Sequence, residues 1–379
     1  MNKASVQVAT WLAEPLPANV ALALDRLAKQ EDVCHVAVMP DVHLAGQVCN
    51  GTAIATREVI YPQAVGNDIG CGMLAIACDL RADVLSDELI AGRLLAGLYE
   101  RIPSSKHPAV RRPASLPDSL RRDELSSPAL EKLKLRDGLY QLGSLGRGNH
   151  FVELQADADG RLWLMLHSGS RGMGQAISEH HLRPLESSAG GLVGLDSSSA
   201  AGRSYLSDLG WAIQYAMENR LAMAHAVDAL LQNHLSTRLD WSSLIHCHHN
   251  HVRREVHFGQ ELWVHRKGAL PAGDLEPGVI PGSMGSASYH VTGRGLAESL
   301  QSSSHGAGRA MARHEARQEI SRRDLLRQMR GVWFDQRQAD HLRDEAPAAY
   351  KNIRHVMKAQ RDLTRIVREL HPVLIYKGV

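Results

Sequence analysis

Short apolar runs closed by turn residues alternate along this chain with stretches that are apolar at helical spacing, and that alternation is what most restricts its fold. Residues 33–39, 52–60, 72–80, 151–154, 162–166, 255–258 and 261–265 read as strands. Residues 17–30 and 204–231 read as helices, as do residues 83–102, where Val84, Leu85, Leu89, Leu94, Leu95 and Leu98 are expected on one face. The strand at 33–39 should stop at Pro40, which brings no N–H to a ladder. Strands interleaved with helices predict a mixed α/β fold, a β-sheet core flanked by helices. The 379 residues are 44% hydrophobic and 22% charged, enough apolar surface for a real core, which excludes a disordered or fibrous chain. One compact domain over residues 1–379 is expected, because the residues with chemical promise are scattered from Asp68 to Lys377 and a boundary would divide them. Segments 103–127 and 187–202, rich in Ser, Pro, Arg and Gly, read as exposed loops. Residues 309–330 carry seven Arg, which at helical spacing makes a basic face.

The 43 Lys and Arg against 41 Asp and Glu give a formal charge of +2, too small to announce a nucleic-acid or membrane partner globally. The first residues show no basic stretch followed by an apolar run, and no run of about 18 apolar residues occurs, so neither a leader nor a membrane span is expected and the default location is the cytoplasm. Five cysteines, an odd number in a chain with ample core, read as thiols and not as a disulfide framework. The unusual feature is histidine: 21 of them outnumber the 3 Phe, 6 Trp and 8 Tyr together. Imidazole serves both metal ligation and nucleophilic chemistry near neutral pH.

The densest chemical signal is VGNDIGCGM at 65–73. Asp68 and Cys71 bring a hard carboxylate and a soft thiolate into one glycine turn, where both could converge on a cation or the sulfur could bridge two. The segment on its own also fits an Asx turn beside a buried thiol. His150, His167 and the run from His246 to His251 add imidazoles beside strand-like segments, and borderline divalent metals accept this mixture of donors. Hydrogen-bonded structural histidines are the competing reading, and the spacing is not that of a zinc finger. Two more glycine-rich turns, at 281–288 and 304–309, would let backbone N–H groups approach phosphate. The second is expected to open a helix, placing His305 at a positive helix mouth where a neutral imidazole could attack an α-phosphate while Lys377 or Arg309 offsets charge. Tight turns with a capping role fit the same residues.

Taken in order, PDVH at 40–43, VGNDIGCGM at 65–73, GRGNHFVE at 146–153, HSGSRG at 167–172, HHN at 248–250, HRKGA at 265–269, PGSMGSASY at 281–289, HGAGR at 305–309, EAPAAYKNI at 345–353 and YKG at 376–378 resemble the RtcB family of RNA ligases over nearly the whole chain. The resemblance implies an enzyme that uses GTP and two Mn²⁺ ions to join RNA ending in a 2′,3′-cyclic phosphate or 3′-phosphate to RNA beginning with a 5′-hydroxyl, in tRNA splicing or RNA repair. It implies one ion on Asp68, Cys71 and His150, the other on Cys71, His167 and His249, with Cys71 shared. It implies that His305 becomes guanylylated, passes GMP to the RNA 3′-phosphate, and that GMP leaves when the 5′-hydroxyl attacks. Asn149, His150, Phe151, Val152 and Glu153 would meet the guanosine, Glu153 through the guanine edge. His249, Asn250, Pro281, Gly282, Ser283, Met284, Ser288, Gly306, Ala307 and Gly308 would contact the nucleotide or its phosphates, Tyr350 would stack on the base, and Lys377 would reach the nucleotide.

The chain departs from the family pattern at Ala45 and Gln47, where glycines are usual, at Arg147, where a small residue is usual, and at His251 after the HHN triplet. It is also shorter than typical members and resembles a compact bacterial branch found beside a release-factor homologue, PrfH, which points to broken tRNA or rRNA ends as substrates. Two other function classes compete: a dinuclear metal phosphoesterase that opens cyclic phosphates without sealing, and a noncatalytic RNA-binding relative. A hydrolase needs no nucleotide-capturing turn beside His305, and a binding module needs no five-residue metal set.

Overall fold

The structure is a computed structural model, and it describes residues 6–108, 113–183 and 191–378. In chain order the strands are β1 (Gln7–Thr10), β2 (Val33–His43), β3 (Asn50–Thr56), β4 (Val59–Ile60), β5 (Gly72–Arg81), β6 (Phe151–Asp157), β7 (Arg161–Ser168) and β8 (Leu195–Asp196). They continue as β9 (Leu239–His248), β10 (Asn250–His257), β11 (Gln260–Lys267), β12 (Ala269–Pro271), β13 (Pro277–Ile280), β14 (Ser288–Gly293), β15 (Ser302–Ser304) and β16 (Thr364–Lys377). The helices are α1 (Ala18–Ala28), α2 (Glu88–Arg101), α3 (Asp118–Arg121), α4 (Pro128–Leu133), α5 (Leu139–Gln141), α6 (Arg171–Leu182), α7 (Ala200–Leu235), α8 (Arg313–Glu319), α9 (Arg322–Gln328) and α10 (Ile353–Ala359).

A seven-stranded sheet runs β13-β14-β16-β6-β7-β5-β9, and a five-stranded sheet runs β1-β2-β3-β11-β10; β12 pairs with β15 and β4 with β8. All ladders are antiparallel except β1 with β2. The mixed α/β fold with a sheet core and flanking helices is therefore as the alternation of patterns implies. One side of the large sheet packs under α2 and α7 through Leu74, Ile76, Val152, Leu164, Leu98 and Val227. The other side buries Met73, Ala75, Phe151, Met165 and Ile375 against β13, β14 and α9. Antiparallel neighbours reverse direction, so one rim of the sheet collects the start of β5 and β6 and the end of β7, β9 and β16: Gly72 lies opposite Ser168 and His248, and Phe151 opposite His167 and Lys377. Sequence-distant residues meet on that rim. A single residue, His249, separates β9 of the large sheet from β10 of the smaller one.

Several boundaries differ from the sequence expectation for physical reasons. β2 runs through Pro40, because pairing with β1 reaches only Val38 and the ladder with β3 is interrupted between Val38 and His43, so neither neighbour needs a proline N–H. Residues 83–102 do not form one helix. A 3₁₀ turn (Ala82–Ser86) ends at Asp87, whose carboxylate caps α2 by accepting from Leu89 and Ile90 N–H, and Leu89 is 70% exposed while Ala91, Leu94 and Leu98 face the core. Of the expected loop 103–127, the described part is anchored: Leu116, Leu120 and Leu125 are buried against α6 and α7. The expected loop 187–202 lies partly outside the described residues; within it, β8 pairs with β4 and α7 has begun by Ala200. No described helix is long and apolar enough to cross a membrane.

Candidate metal centre and nucleotide pocket

The rim of the large sheet gathers two triads that share one sulfur. Cys71, His167 and His249 form one and Asp68, Cys71 and His150 the other, the ligand atoms of each triad all lying within 4.8 Å of one another. Cys71 Sγ is 3.4 Å from His150 Nε2 and 3.3 Å from His167 Nε2; His167 Nε2 is 3.4 Å from His249 Nε2, and His150 Nε2 is 3.0 Å from Asp68 Oδ2. Each donor sits where the fold fixes it. The turn before β5 closes with Cys71 N–H donating to Asp68 O, and His249 N–H donates to Cys71 O, locking the two sheets together at this point. Ser170 N–H donates 3.0 Å to Asp68 Oδ1, and only glycine fits at 169, where a Cβ would lie 2.1 Å from that oxygen. From α7, buried Arg220 donates to Gly70 O, Ser168 O, His246 and His248, which makes the helix a buttress for the rim.

The donor set fits a cation. Asn149 O accepts from His167 Nδ1 at 3.2 Å, which leaves the His167 Nε2 lone pair facing His249 Nε2, while His249 Nδ1 is buried without a partner. Burial, then the charges of neighbouring imidazoles, holds both His167 and His249 well below the ordinary histidine range. Burial, then the Asp68 charge, pushes the Cys71 thiol well up, against the pull of Arg220. Burial would also raise the Asp68 carboxyl, but the hydrogen bond and charge of His150, with Arg171, hold it at about 2. Neutral imidazoles at His167 and His249, the Asp68 carboxylate and one thiol whose proton a divalent ion would displace are the states that borderline metals bind.

His305 follows β15 directly, its ring centroid 4.7 Å from that of His249. The expected helix mouth does not exist: residues 305–312 form a loop, and α8 begins only at Arg313, because Gly306 and Gly308 break helical propagation. What orients the imidazole is Asp41 of β2, whose Oδ2 accepts from His305 Nδ1 at 2.7 Å and from His305 N–H at 3.1 Å. Gly308, at φ +73°, lets the loop pass Asp41 O, where a Cβ would come within 2.3 Å. Neither composition nor spacing joins Asp41 to His305, although Asp41 belongs to the PDVH segment at 40–43.

Beside the triads lies a cavity of about 840 Å³. Asn149 lines it from the turn before β6 and Phe151 and Glu153 from the strand itself, Pro281, Gly282, Ser283 and Met284 from the turn before β14 and Ser288 from its start, and His305, Gly306, Ala307 and Gly308 from the loop after β15, with Tyr350 and Lys377. Val152 points the other way, into the core under α2 and α7, as strand alternation requires. Asn250 ties the two sheets, its Nδ2 donating to Asp68 O and its Oδ1 accepting from Gly268 N–H. In the turn at 281–288, Gly282 and Ser283 N–H donate to Ser288 and Ser286 hydroxyls, so those two groups are already engaged.

The charges expected to meet phosphate are largely paired. Lys377 is buried and bonded to Glu345, and Arg309 donates to Asp344 O and stacks over Tyr350 at 5.1 Å. Residues 309–330 form two short helices, not one basic face: Arg313 and Arg317 pair with Asp344, and Arg322 with Asp340. Arg121 and Arg122 pair with Asp118; Arg111 and Arg112 lie outside the described residues. Glu345, which joins Lys377, Tyr350, Arg309 and Arg313, carried no functional signal in the sequence beyond its place in a motif.

Comparison with known proteins adds a family to this geometry. Residues 24–378 match the family described as tRNA-splicing ligase RtcB. The chain is 35% identical to the RNA-splicing ligase RtcB of Escherichia coli (strain K12), over 96% of this chain and 95% of that protein. It is 30% identical to the RNA-splicing ligase RtcB of Mycobacterium tuberculosis (strain H37Rv), over 90% of this chain and 96% of that protein, and 29% identical to the tRNA-splicing ligase RtcB of Thermococcus kodakarensis, over 90% and 87%.

Proposed function

The chain belongs to the RtcB family and is an RNA ligase, and from that premise we propose that it seals RNA with GTP and two manganese ions through a guanylylated His305. Asp68, Cys71 and His150 would hold one ion, and Cys71, His167 and His249 the other. Bound there, the pair supplies Lewis-acid neutralisation of crowded phosphoryl oxygens. The observation that carries the proposal is the shared-sulfur pair of triads with the His305 ring 4.7 Å from the ring of one of its members, at the edge of one cavity.

The residues then divide the work. The Asp41 carboxylate accepts a hydrogen bond from His305 Nδ1–H, which turns the Nε2 lone pair to the reaction. Nε2 attacks the α-phosphorus of GTP, an N–P bond forms, and the P–O bond to the leaving pyrophosphate breaks. An oxygen of the RNA 3′-phosphate, released by water where the end is cyclic, displaces the imidazole and takes the GMP. The 5′-hydroxyl then attacks the 3′-phosphorus, loses its proton, and GMP departs. A monoester dianion has a poor leaving group, and GMP supplies a good one. Asn149, Phe151 and Glu153 receive the guanosine, the turns at 281–288 and 306–308 its phosphates, and Tyr350 the base. Broken tRNA or rRNA ends, in splicing or repair and in functional association with a PrfH-like release-factor homologue, are the substrates that the family resemblance supports.

Incubating the protein with α-labelled GTP and Mn²⁺ should give a covalent adduct that His305→Ala removes, and RNA bearing 3′-phosphate and 5′-hydroxyl ends should be joined. Opening of cyclic ends to terminal phosphates with neither adduct nor joining in the unmodified protein would refute the proposal in favour of a hydrolase.

A further inference from the structure

Two residues on the cavity wall, Glu153 and Ser288, are connected from behind by a side chain to which the mechanism above gives no part. Gln155 lies two positions along β6 from Glu153, on the same face of the strand, and is fully buried. Its Nε2 donates to Glu153 Oε1 at 2.6 Å and to Ser288 Oγ at 3.1 Å, and Ser288 Oγ accepts in turn from Gly282 N–H at 3.3 Å. Its Oε1 is buried without a partner. A buried orphan acceptor is costly, and turning the amide over would satisfy it if Glu153 kept its proton. The orientation present instead treats Glu153 as an acceptor.

That arrangement works against burial. Desolvation outweighs the two influences that lower the Glu153 carboxyl, the Gln155 hydrogen bond and the charge of Lys377, and leaves it at about 8. Lys377, from β16, is committed to Glu345, and β14 contributes His290, which is engaged by Arg368 at 3.2 Å; β7 contributes uncharged Met165 opposite Glu153. Among the described residues, Gln155 is the side chain that donates directly to this carboxyl.

We infer that Gln155 is a positioning residue for base selection: its amide fixes the Glu153 carboxyl as an acceptor turned to the cavity, so that the pocket takes a purine with two adjacent donors and rejects one with an acceptor between. Guanine presents N1–H and its 2-amino group side by side; adenine presents a bare N1. A site built to accept from two donors discriminates strongly, because the wrong base leaves buried groups unpaired. This rests on the reading of the cavity as a guanine-nucleotide pocket.

The test compares GTP and ATP binding to the full-length protein with Mn²⁺, from pH 6 to 9. Gln155→Met keeps the side-chain volume and removes the donor. The GTP-to-ATP affinity ratio should fall about 10- to 100-fold, the loss of one hydrogen bond to a charged group. The pH at which GTP binding strengthens should move upward, since the carboxyl has lost its donor. Gln155→Asn, which withdraws the amide by one methylene, should lower the ratio in the same direction and serves if the first variant does not fold. A wild-type protein with no preference for GTP overturns the nucleotide reading and the inference with it. A selective wild type with an equally selective folded variant, and an unmoved pH profile, overturns the inference alone.

Discussion

Two buried polar clusters lie close together in this molecule, and they are completed in opposite ways. In the five-stranded sheet, Arg266 is 1% exposed and pairs with Glu255 through both nitrogens, at 2.5 and 2.9 Å, while His257 Nε2 donates to the same carboxylate and His251 Nε2 faces Arg266 at 3.3 Å. Leu300 O and Ser302 Oγ take further guanidinium hydrogens. At the rim of the large sheet, the His167 lone pair faces another imidazole across 3.4 Å and Cys71 faces two. Both clusters leave a buried imidazole Nδ1 without a partner, those of His251 and His257 in the first and that of His249 in the second, so the difference lies in what faces what: cation to carboxylate in the first, acceptor to acceptor in the second. The contrast runs through a single sequence segment. His246 and His248 receive hydrogen bonds from Arg220, and His251 from Arg266, whereas the His249 ring, among the described residues, faces His167 and Cys71 of the rim cluster and the ring of His305. Within this segment the arginines engage the histidines that belong to the scaffold, and the one left facing acceptors marks a place for a ligand; His150, whose Nδ1 meets Arg171 at 3.4 Å, keeps its Nε2 turned to the centre.

The sharpest way to break this comparison is Cys71→Ala. It should lose both metal ions, measured by elemental analysis, and abolish RNA joining, with folding of the metal-free chain little changed. Retention of two ions would contradict a shared sulfur. The next largest effect belongs to the other cluster. Arg266→Met leaves the partly exposed Glu255 with His257 alone and strips the guanidinium bonds to Leu300 O and Ser302, and should cost about 2–3 kcal/mol in denaturant unfolding, while metal stoichiometry per folded chain stays at its wild-type value. The smallest effect is a pH slope. Burial would raise the Glu255 carboxyl, but His257 and Arg266 hold it down at about 2 against an ordinary value of 4.5. A depressed carboxyl stabilises the fold above its unfolded-state value and loses that contribution as pH falls through its folded one. Stability should therefore decline between about pH 4.5 and 2, and less steeply in Glu255→Gln; an identical slope in the two proteins would remove Glu255 from the account.

What could be read from residues alone follows the range of the interaction. The strands at 72–80, 151–154 and 162–166 and the long helix were visible because period and turn residues act locally. The run through Pro40 was not, since it depends on which neighbours pair there. The expected helix after His305 failed because Gly308 serves a close pass over Asp41, the residue whose carboxylate meets His305 from 264 positions away. Asp68, Cys71 and the three histidines were singled out by donor chemistry and family resemblance together. No spacing rule separates His249 from His248 or His251, and only the arginines across the sheets do so. The basic face at 309–330 was a correct count of charges whose acidic partners, Asp340, Asp344 and Glu345, stand outside that stretch.

His249 is the one residue between β9 and β10, and its main-chain N–H is already bonded to Cys71 O. Whatever grips its imidazole therefore pulls on the seam between two separate ladders. Charging the centre and riveting the halves of the body become one event, and a molecule stripped of its ions should breathe most along that crease.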